Sequence, residues 1–366
     1  MSNRKFIPVY EPFFNGLEKT YVNECLDTGW ISGQGSYIKK FEDKFSNFLA
    51  DDIYSVCVAN GTVALHLALL SLGIGPGDEV IVTAFTYIAS INAIIYVGAT
   101  PVFVDISEDS WNINHSLIIN HITPKTKAIM AVHIYGMPCN MDLISDIAES
   151  YSLKVIEDSA EALGSKFNDK YVGTLGDIST FSFFGNKTLT TGEGGMIVSK
   201  DISLIERCRY LKSQAVSATQ RYWHDDIGYN YRMTNICAAI GLAQLTSIDH
   251  VLHLKKNIFD QYKSSLSQSS INFQYQAKEM DSSYWLTTCL FQTTKDLKNV
   301  ELALEQNLID FRPLFPPVHK MPMYISQGSE CPISDDIASR GLCLPSSPNL
   351  SSDDIAFICD TIIRSI

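Results

Sequence analysis

Between about residue 50 and residue 200, short β-rich runs alternate with segments of helical periodicity, and this alternation restricts the possible folds more than any other feature. The runs that predict strands, several of them nearly continuous in apolar residues, are 78–85, 100–106, 127–136, 154–160, 177–184 and 195–200. The segments with apolar residues at helical spacing are 62–73, 87–99 and 141–152. This alternation predicts an α/β fold with a mainly parallel central sheet flanked by helices.

The pattern changes after about residue 245. A charged helical segment at 250–266 is followed by a strand-like run at 283–291 and a closing helical segment at 351–366. We therefore predict a large α/β domain with the N-terminal segment at 1–245 and a smaller C-terminal α+β domain at 246–366. The 366 residues suffice for both, since domains contain roughly 100–200 residues.

Composition and charge argue against several classes of protein. The formal net charge is −12 and no Lys/Arg run occurs, so a nucleic acid is not expected as a partner. No apolar run reaches ~20 residues and the N-terminus lacks the apolar stretch of a secretory signal, so we expect a cytoplasmic protein that does not span a membrane. The nine cysteines are scattered without a CxxC pair, which predicts reduced thiols and no metal site.

Three stretches carry residues suited to chemistry, and the first is "ANGTVALHLALL". Gly61 and Thr62 open the predicted helix, where free N–H groups and the positive end of the helix dipole favour an anion such as phosphate. Gly61 permits a close approach of the backbone to a ligand, and Thr62 adds a hydroxyl. An ordinary helix N-cap is the alternative for this stretch taken alone.

The second stretch is "KVIEDSAEALGS", in which Asp158 follows a predicted buried strand. Ligands of open α/β sheets gather at the carboxyl ends of the strands. A carboxylate at that edge can keep the ring nitrogen of a bound cofactor protonated. A turn or N-cap aspartate is the alternative.

The third stretch, "FSFFGNKTLTTGEGG", places Lys187 between an apolar run and a glycine-rich loop. Most lysines are solvated, but an amine shielded by apolar neighbours loses its proton more easily and becomes a nucleophile toward an aldehyde. Ser182 can add a hydroxyl to the phosphate. A phosphate cradle, a carboxylate for a ring nitrogen and a nucleophilic amine together describe a site for pyridoxal 5′-phosphate (PLP).

These stretches, together with "GDEVIVTAFTYIASINAI", "GATPVFVDI" and "YNYRMTNICAAIGLAQL", resemble the nucleotide-sugar aminotransferases of the DegT/DnrJ/EryC1/StrS family. The resemblance extends over almost the whole chain. It implies the fold of the fold-type I PLP enzymes and a homodimer whose subunits share the active sites. PLP is the implied cofactor, with pyridoxamine 5′-phosphate as its aminated form.

The resemblance also implies roles around the cofactor. Lys187 corresponds to the lysine that binds PLP covalently, Asp158 to the partner of the ring nitrogen, and Tyr87 to an aromatic residue that stacks on the ring. The residues that correspond to phosphate-binding positions are Gly61, Thr62 and Ser182.

Two further cofactor positions follow from the resemblance. Asn230 corresponds to an asparagine that is lent across the dimer interface to the phosphate, although the sequence alone also fits a turn residue. Glu161 departs from many relatives, which have Gln or His near the 3′-oxygen of the cofactor. A glutamate there is expected to be protonated or to change the pKa of the bound cofactor.

The candidate substrate contacts are Trp30, Ser32, His133, Tyr284, Arg312 and His319. The first two lie in "TGWISGQG", which is expected at the mouth of the site. Arg312 and His319 are expected to bind the sugar pyrophosphate, because a guanidinium suits phosphate oxygens. Tyr284, like its neighbour Trp285, can instead belong to the core of the small domain. His133 is either a sugar contact or a core histidine.

The implied reaction is PLP-dependent transfer of an amino group from L-glutamate to C4 of a nucleotide-linked 4-keto-6-deoxyhexose. Within the family, the stretches "YVNECLDTGWISGQGSYI", "RYWHDDIGYNYRMTN" and "RPLFPPVHKMPMY" most resemble the members that use GDP-4-keto-6-deoxy-D-mannose as acceptor, in O-antigen or polysaccharide biosynthesis. The alternative acceptor is dTDP-4-keto-6-deoxyglucose. Lys187 argues against the dehydratases of the family, which carry a histidine at this position. A non-catalytic protein that binds PLP or a nucleotide sugar is a further alternative. No GxGxxG motif follows the first strand to support a Rossmann dehydrogenase.

Overall fold

The alternation of strands and helices is present in the computed structural model, which describes residues 5–325 and 328–366. Numbered in chain order, the α-helices of these residues, α1 to α12, are Leu17–Thr28, Ser36–Leu49, Gly61–Ser71, Ala89–Tyr96, His115–Ile118, Met141–Tyr151, Ile202–Leu211, Asn235–Leu245, Ile248–Ser265, Thr294–Gln306, Pro332–Arg340 and Ser352–Ile363. The strands, β1 to β14, are Tyr54–Val58, Glu79–Thr83, Thr100–Val104, Thr126–Val132, Lys154–Asp158, Lys166–Phe167, Lys170–Tyr171, Ile178–Ser182, Gly195–Ser199, Asn272–Phe273, Met280–Asp281, Thr287–Leu290, Arg312–Pro313 and Gly341–Leu344.

A seven-stranded sheet with the order β1-β9-β8-β5-β4-β2-β3 forms the centre. Strand β9 is antiparallel to both of its neighbours, whereas all pairs from β8 to β3 are parallel. Val80 and Val82 of β2 pack in the apolar cluster that includes α3 and α4, and Ile81 between them packs in the cluster that includes α6. Strands buried on both faces explain the nearly continuous apolar runs. The predicted mainly parallel sheet flanked by helices is confirmed.

Glycines end the two helices that lead into β2 and β3. Gly73 and Gly98 have φ angles of 74° and 79°, in the left-handed region that glycine adopts without strain. After α3, the N–H of Ile74 donates to the carbonyl of Leu69 at 3.1 Å, as in a Schellman motif. The chain is thereby turned back toward the sheet.

A second sheet, β10-β12-β14-β13, is antiparallel throughout and belongs to the last third of the chain. Its apolar cluster joins these strands to α9, α10 and α12, with Tyr262, Phe291 and Ile358 among the buried residues. A third, short sheet has the order β11-β6-β7 and pairs Met280 with Phe167, so it connects the two parts of the chain.

Helices α8 and α9 meet at a bend of 63°. The predicted domain boundary at 245/246 falls in this bend, and the division into two domains there remains a prediction. Among the described residues no single helix is long and apolar enough to cross a membrane, and α8 and α9 meet the length and composition criteria only as this bent pair.

One edge of the central sheet collects the stretches that the sequence singled out. Strand β5 ends at Asp158 and β8 ends at Ser182, at the carboxyl edge where ligands of such sheets bind. Helix α3 begins at the same edge, because a Cβ placed on Gly61 would lie 2.8 Å from the Cβ of Ser182.

Candidate active site

A cavity of about 580 Å³ opens at this edge of the sheet. Of the eight residues predicted around the cofactor, seven line it: Gly61, Thr62, Tyr87, Asp158, Glu161, Ser182 and Lys187. They come from the start of α3, the loop after β2, the end of β5 and the loop that follows β8. The fold therefore brings together four stretches that are far apart in the sequence.

Lys187 lies in the loop between β8 and β9, and its side chain is only 13% exposed. Its Nζ is 3.7 Å from Oε1 of Glu161 and 3.8 Å from the centre of the Trp285 ring. Burial lowers the pKa of Lys187, while the carboxylates of Glu161 and Asp158 act in the opposite direction. The net shift favours the neutral amine, which is the form that attacks an aldehyde.

Glu161 is buried beside this amine, and its Oε2 accepts the N–H of Tyr135 at 2.8 Å. Burial raises the pKa of Glu161 to about 7, although the charge of Lys187 opposes that rise. Burial thus disfavours the charged form of both partners, and the attraction between their charges opposes this effect.

Asp158, the last residue of β5, is buried and held at both carboxylate oxygens. Its Oδ2 accepts a hydrogen bond from the hydroxyl of Ser90 at 2.7 Å, and its Oδ1 accepts the N–H of Ala160 at 3.2 Å. Ser90 lies in the first turn of α4, is itself buried, and has its hydroxyl 3.1 Å from that of Thr86. These contacts fix the orientation of the carboxylate in the cavity wall.

The start of α3 offers an anion site. The side chain of Asn60 caps the helix by accepting the N–H of Val63 at 3.0 Å. The other N–H groups of the first turn, including those of Gly61 and Thr62, have no acceptor within the helix. Since the space beside Gly61 is filled by Ser182, only a residue without a side chain fits at position 61 without displacing that serine.

Stacked aromatic rings form another wall. The ring of Phe315 is centred 5.7 Å from that of Tyr87 and stacks on Tyr135 at 5.1 Å and 13°. Tyr135 stacks in turn on Trp285 at 6.2 Å and 11°, and its hydroxyl oxygen accepts the N–H of Phe315 at 2.8 Å. Planar surfaces next to an amine and a carboxylate are suited to a flat heteroaromatic ring.

The lining residues fit PLP. The cavity lies within the range of roughly 300–1,000 Å³ that is usual for small-molecule sites. A helix start for phosphate, a buried carboxylate for the ring nitrogen and a shielded amine for the aldehyde all face the same space. Across residues 5–325 and 328–366, no group of three His, Cys, Asp or Glu side chains is placed to hold a metal ion.

Three predicted contacts, Asn230, Trp30 and Ser32, do not line this cavity. Asn230 is exposed and forms a β-bridge with Ser213. Asn235 binds the other two residues: its side-chain amide donates to the carbonyl of Trp30 at 2.7 Å, and its backbone N–H donates to the carbonyl of Ser32 at 2.8 Å. Within one chain these residues are therefore not brought to Lys187.

Two predicted substrate contacts are core residues, which corrects those predictions. His133 is fully buried, and both ring nitrogens are used: Nδ1 accepts the N–H of Cys139 at 3.0 Å, and Nε2 donates to Glu157 at 3.1 Å. Tyr284 is buried and stacks on Phe259 at 4.3 Å. Neither side chain is available to a ligand in the cavity, so the core alternative applies to both.

The two residues predicted to bind pyrophosphate also lie outside the cavity lining, and they differ in accessibility. Arg312 is exposed and forms an ion pair with Asp310 at 2.7 Å. His319 is buried, with Nε2 at 3.5 Å from Oδ1 of Asp335. In the described part of the chain its Nδ1 has no hydrogen-bond partner. Only Arg312 is accessible to a phosphate group in solution.

Three residues that line the cavity, Ser90, Trp285 and Phe315, were not among the predicted site residues. In the case of Trp285, the neighbouring Tyr284 was predicted instead. A signal for Ser90 existed, since it stands in the first turn of a predicted helix at the ligand-binding edge. The indole N–H of Trp285 donates to the carbonyl of Asn186 at 2.8 Å, so this tryptophan is bonded to the loop that carries Lys187.

Comparison with known proteins by sequence and by structure leads to the same family of PLP-dependent aminotransferases in each case. The sequence profile of the DegT/DnrJ/EryC1/StrS aminotransferase family matches residues 14–363. The chain is 53% identical over 360 residues to the GDP-perosamine synthase of Escherichia coli O157:H7, with 98% of each chain covered. It is 46% identical over 360 residues to the GDP-perosamine synthase of Vibrio cholerae, with 97% of this chain and 98% of that protein covered. Spr1654 of Streptococcus pneumoniae, to which a sugar-aminotransferase role is assigned, was solved in a PLP form and superposes with a TM-score of 0.91 at 29% identity, covering 98% of this chain and 97% of that one.

Proposed function

Because the chain belongs to the DegT/DnrJ/EryC1/StrS aminotransferase family, we propose that it transfers an amino group from L-glutamate to C4 of GDP-4-keto-6-deoxy-D-mannose and so makes GDP-perosamine. It is a PLP-dependent sugar aminotransferase. The observation that carries the proposed substrate is the 53% identity with the E. coli GDP-perosamine synthase over 98% of both chains. The proposed product would serve O-antigen or other polysaccharide biosynthesis.

Lys187 and Asp158 have the central tasks in this proposal. Bound PLP supplies an aldehyde that a primary amine can attack and a pyridinium ring that accepts electrons. Lys187 would hold the cofactor through Nζ and, as a free amine, would carry a proton as general base. Its lowered pKa supports both tasks, because the neutral amine is the reactive form. Asp158, held by Ser90 and Ala160, keeps the ring nitrogen protonated.

The remaining contacts hold the cofactor in place. We assign the phosphate to the start of α3 and to Ser182, which lies against Gly61. Tyr87 stacks on the ring. Glu161, whose pKa is raised to about 7 by burial, can take up or release a proton near neutral pH at 3.7 Å from the amine of Lys187, which a glutamine at this position could not do.

A homodimer with shared sites is part of the proposal, in a cytoplasmic location. Asn230 and Trp30 are exposed on a surface outside the cavity of their own chain. Tyr222 and Trp223 nearby in sequence are also exposed, and large exposed apolar side chains of this kind favour burial against a second copy. In such a dimer Asn230 of one subunit would contact the cofactor phosphate in the site of the other.

The sugar nucleotide is assigned to the mouth of the site. We propose that the pyrophosphate is bound by Arg312, whose guanidinium is exposed and would exchange Asp310 for the ligand. His319 is not proposed for this role because it is buried. Trp30 and Ser32 are proposed at the mouth of the partner's site.

The proposal is tested by incubating the purified protein with PLP and L-glutamate and with either GDP-4-keto-6-deoxy-D-mannose or dTDP-4-keto-6-deoxyglucose. Mass spectrometry should detect an amino sugar with the GDP substrate, together with 2-oxoglutarate in equal amount. If an amino sugar formed only from the dTDP sugar, the proposed acceptor would be wrong and dTDP-4-keto-6-deoxyglucose would take its place. Absence of amino transfer to either sugar would contradict the proposed reaction.

A further inference from the structure

A buried lysine, Lys255, lies behind the Trp285 side of the cavity. Lys255 is in the middle of α9 and is 1% exposed. Its Nζ donates to the carbonyl of Trp285 at 2.9 Å and to the carbonyl of Ser346 at 3.1 Å, and it lies 4.9 Å from the centre of the Tyr10 ring. The three hydrogens of an ammonium are thus matched by two carbonyls and one aromatic face.

Two of these three partners also hold the loop that carries Lys187. The hydroxyl of Tyr10 donates to the carbonyl of Lys187 at 2.8 Å. The indole N–H of Trp285 donates to the carbonyl of Asn186, the preceding residue, also at 2.8 Å. The Trp285 ring is in addition the surface that lies 3.8 Å from the Lys187 amine.

The third partner ties the same segments to one another. The N–H of Ser346 donates to the carbonyl of Val9, next to Tyr10, at 2.8 Å. Its hydroxyl oxygen accepts the N–H of Thr287, two residues after Trp285, at 2.8 Å. Lys255 therefore lies where the N-terminal segment, the segment before β12 and the segment after β14 meet.

We propose that Lys255 is a positioning residue for Lys187: its buried amine holds Tyr10 and Trp285, and these two side chains hold consecutive carbonyls at positions 186 and 187. The inference rests on the proposed function, in which Lys187 binds the cofactor and moves the proton. If Lys255 loses its charge, the neutral amine still has two N–H groups for the two carbonyls, and the contact that weakens is the one with the Tyr10 ring.

The test compares four holoenzymes: wild type, Lys255→Met, Tyr10→Phe and Lys256→Met. Methionine keeps the length of the lysine side chain but removes its donors, and phenylalanine removes only the hydroxyl that binds Lys187. Lys256 is the neighbouring residue on the same helix, is exposed, and pairs with Asp260 at 2.7 Å, so Lys256→Met is the matched control. The readouts are the visible circular dichroism of the bound cofactor, kcat, KM for both substrates, and the unfolding temperature.

The inference predicts that Lys255→Met changes the visible circular dichroism and lowers kcat by about 10-fold to 100-fold, because small displacements of a reacting group have effects of that order. KM should change much less than kcat. Tyr10→Phe should change the same two readouts in the same direction without a large fall in unfolding temperature. Lys256→Met should match wild type in all of them.

Two results would overturn the inference. One is a Lys255→Met or Tyr10→Phe protein in which only the unfolding temperature falls while the spectrum and kcat are those of wild type. The other is an equal effect of Lys256→Met. If Lys255→Met does not fold, Tyr10→Phe decides alone. Failure of the proposed function is recognised separately, because wild type would then show no cofactor attached to Lys187 before any variant is compared.

Discussion

The amine of Lys187 and a carboxylate oxygen of Glu161 lie 3.7 Å apart, and the shift in pKa of each group favours its neutral form. Burial is the principal cause for both groups. The carboxylate of Glu161 counteracts the effect of burial on the lysine and so limits how readily the amine loses its proton. The pH at which Lys187 becomes a nucleophile therefore depends on the charge of its neighbour.

Replacing Glu161 by Gln should lower the pKa of Lys187 further, because the negative charge that stabilises the ammonium is removed. In the protein freed of cofactor, labelling of Lys187 by an amine-specific reagent, followed by peptide mass spectrometry, should reach its midpoint at a lower pH. Glu193→Gln, at an exposed residue that lines the same cavity, is the control. A midpoint that stays in place in Glu161→Gln, or moves equally in the control, would refute this coupling.

Replacing Ser90 by Ala should weaken PLP binding, because Asp158 loses the 2.7 Å hydrogen bond that orients its carboxylate. Hydrogen bonds to charged groups contribute about 1.5–3 kcal/mol. The dissociation constant of PLP, measured by absorption titration, should therefore rise about 10-fold or more. Ser71→Ala, which removes a hydroxyl that binds the carbonyl of Ala68 in α3, should leave it unchanged. Equal affinities for the Ser90 variant and wild type would contradict the orienting role.

The contribution of Lys255 to stability should depend on pH. Burial lowers the pKa of this lysine to about 7 in the folded chain, against 10.5 for the ordinary group. Between these values the unfolded chain binds more protons, so the stability of the folded chain rises with pH across this window. The free energy of unfolding of wild type relative to Lys255→Met, measured in urea, should increase by about 1.4 kcal/mol per pH unit at most. A difference that is flat or falls between pH 7 and 9 would show that Lys255 stays charged when buried.

Mixing two inactive variants should restore activity if the sites are shared. In a hybrid dimer of Lys187→Ala and Asn230→Ala chains, one site would combine the intact Lys187 of one subunit with the intact Asn230 of the other. Random exchange should give about one quarter of wild-type activity, since half of the dimers are hybrids and each has one complete site of two. If Asn230 acted only within its own chain, no mixture would regain activity.

The parallel strands were predictable because each is buried on both faces and appears as a run of apolar residues. Strand β1, Tyr54–Val58, was not recognised, and its antiparallel partner β9 is far away in the sequence. The position of Asp158 at the cavity was predictable for a related reason: an apolar strand ends at this residue, and ligands of open α/β sheets gather at the carboxyl ends of the strands.

The alternation of side chains along a strand does not predict that Trp285, and not its neighbour Tyr284, lines the cavity. Tyr284 has a φ angle of 50°, in the left-handed region, so side chains at 284 and 285 do not follow the regular two-residue period of a strand. The neighbours therefore could not be assigned to opposite faces from the sequence. His133 could not be assigned either, because its two hydrogen-bond partners become adjacent to it only in the folded chain.

The position of Lys255 had a sequence signal that was not used. Val251, Lys255 and Phe259 follow one another at intervals of four residues and are all buried on α9, whereas Lys256 is on the exposed face. Of the adjacent lysines 255 and 256, helical periodicity thus places Lys255 on the apolar face of α9. Which carbonyls it meets there depends on three segments that are distant in the sequence.

The covalent attachment of PLP to Lys187 is the claim on which the proposed function depends, and reduction of the holoprotein with borohydride followed by peptide mass spectrometry measures it directly. The label should be found on the peptide that contains Lys187. It should be lost, together with amino transfer, in a Lys187→Ala protein whose circular dichroism shows an intact fold. A label on another lysine, or a holoprotein without any label, would contradict the account.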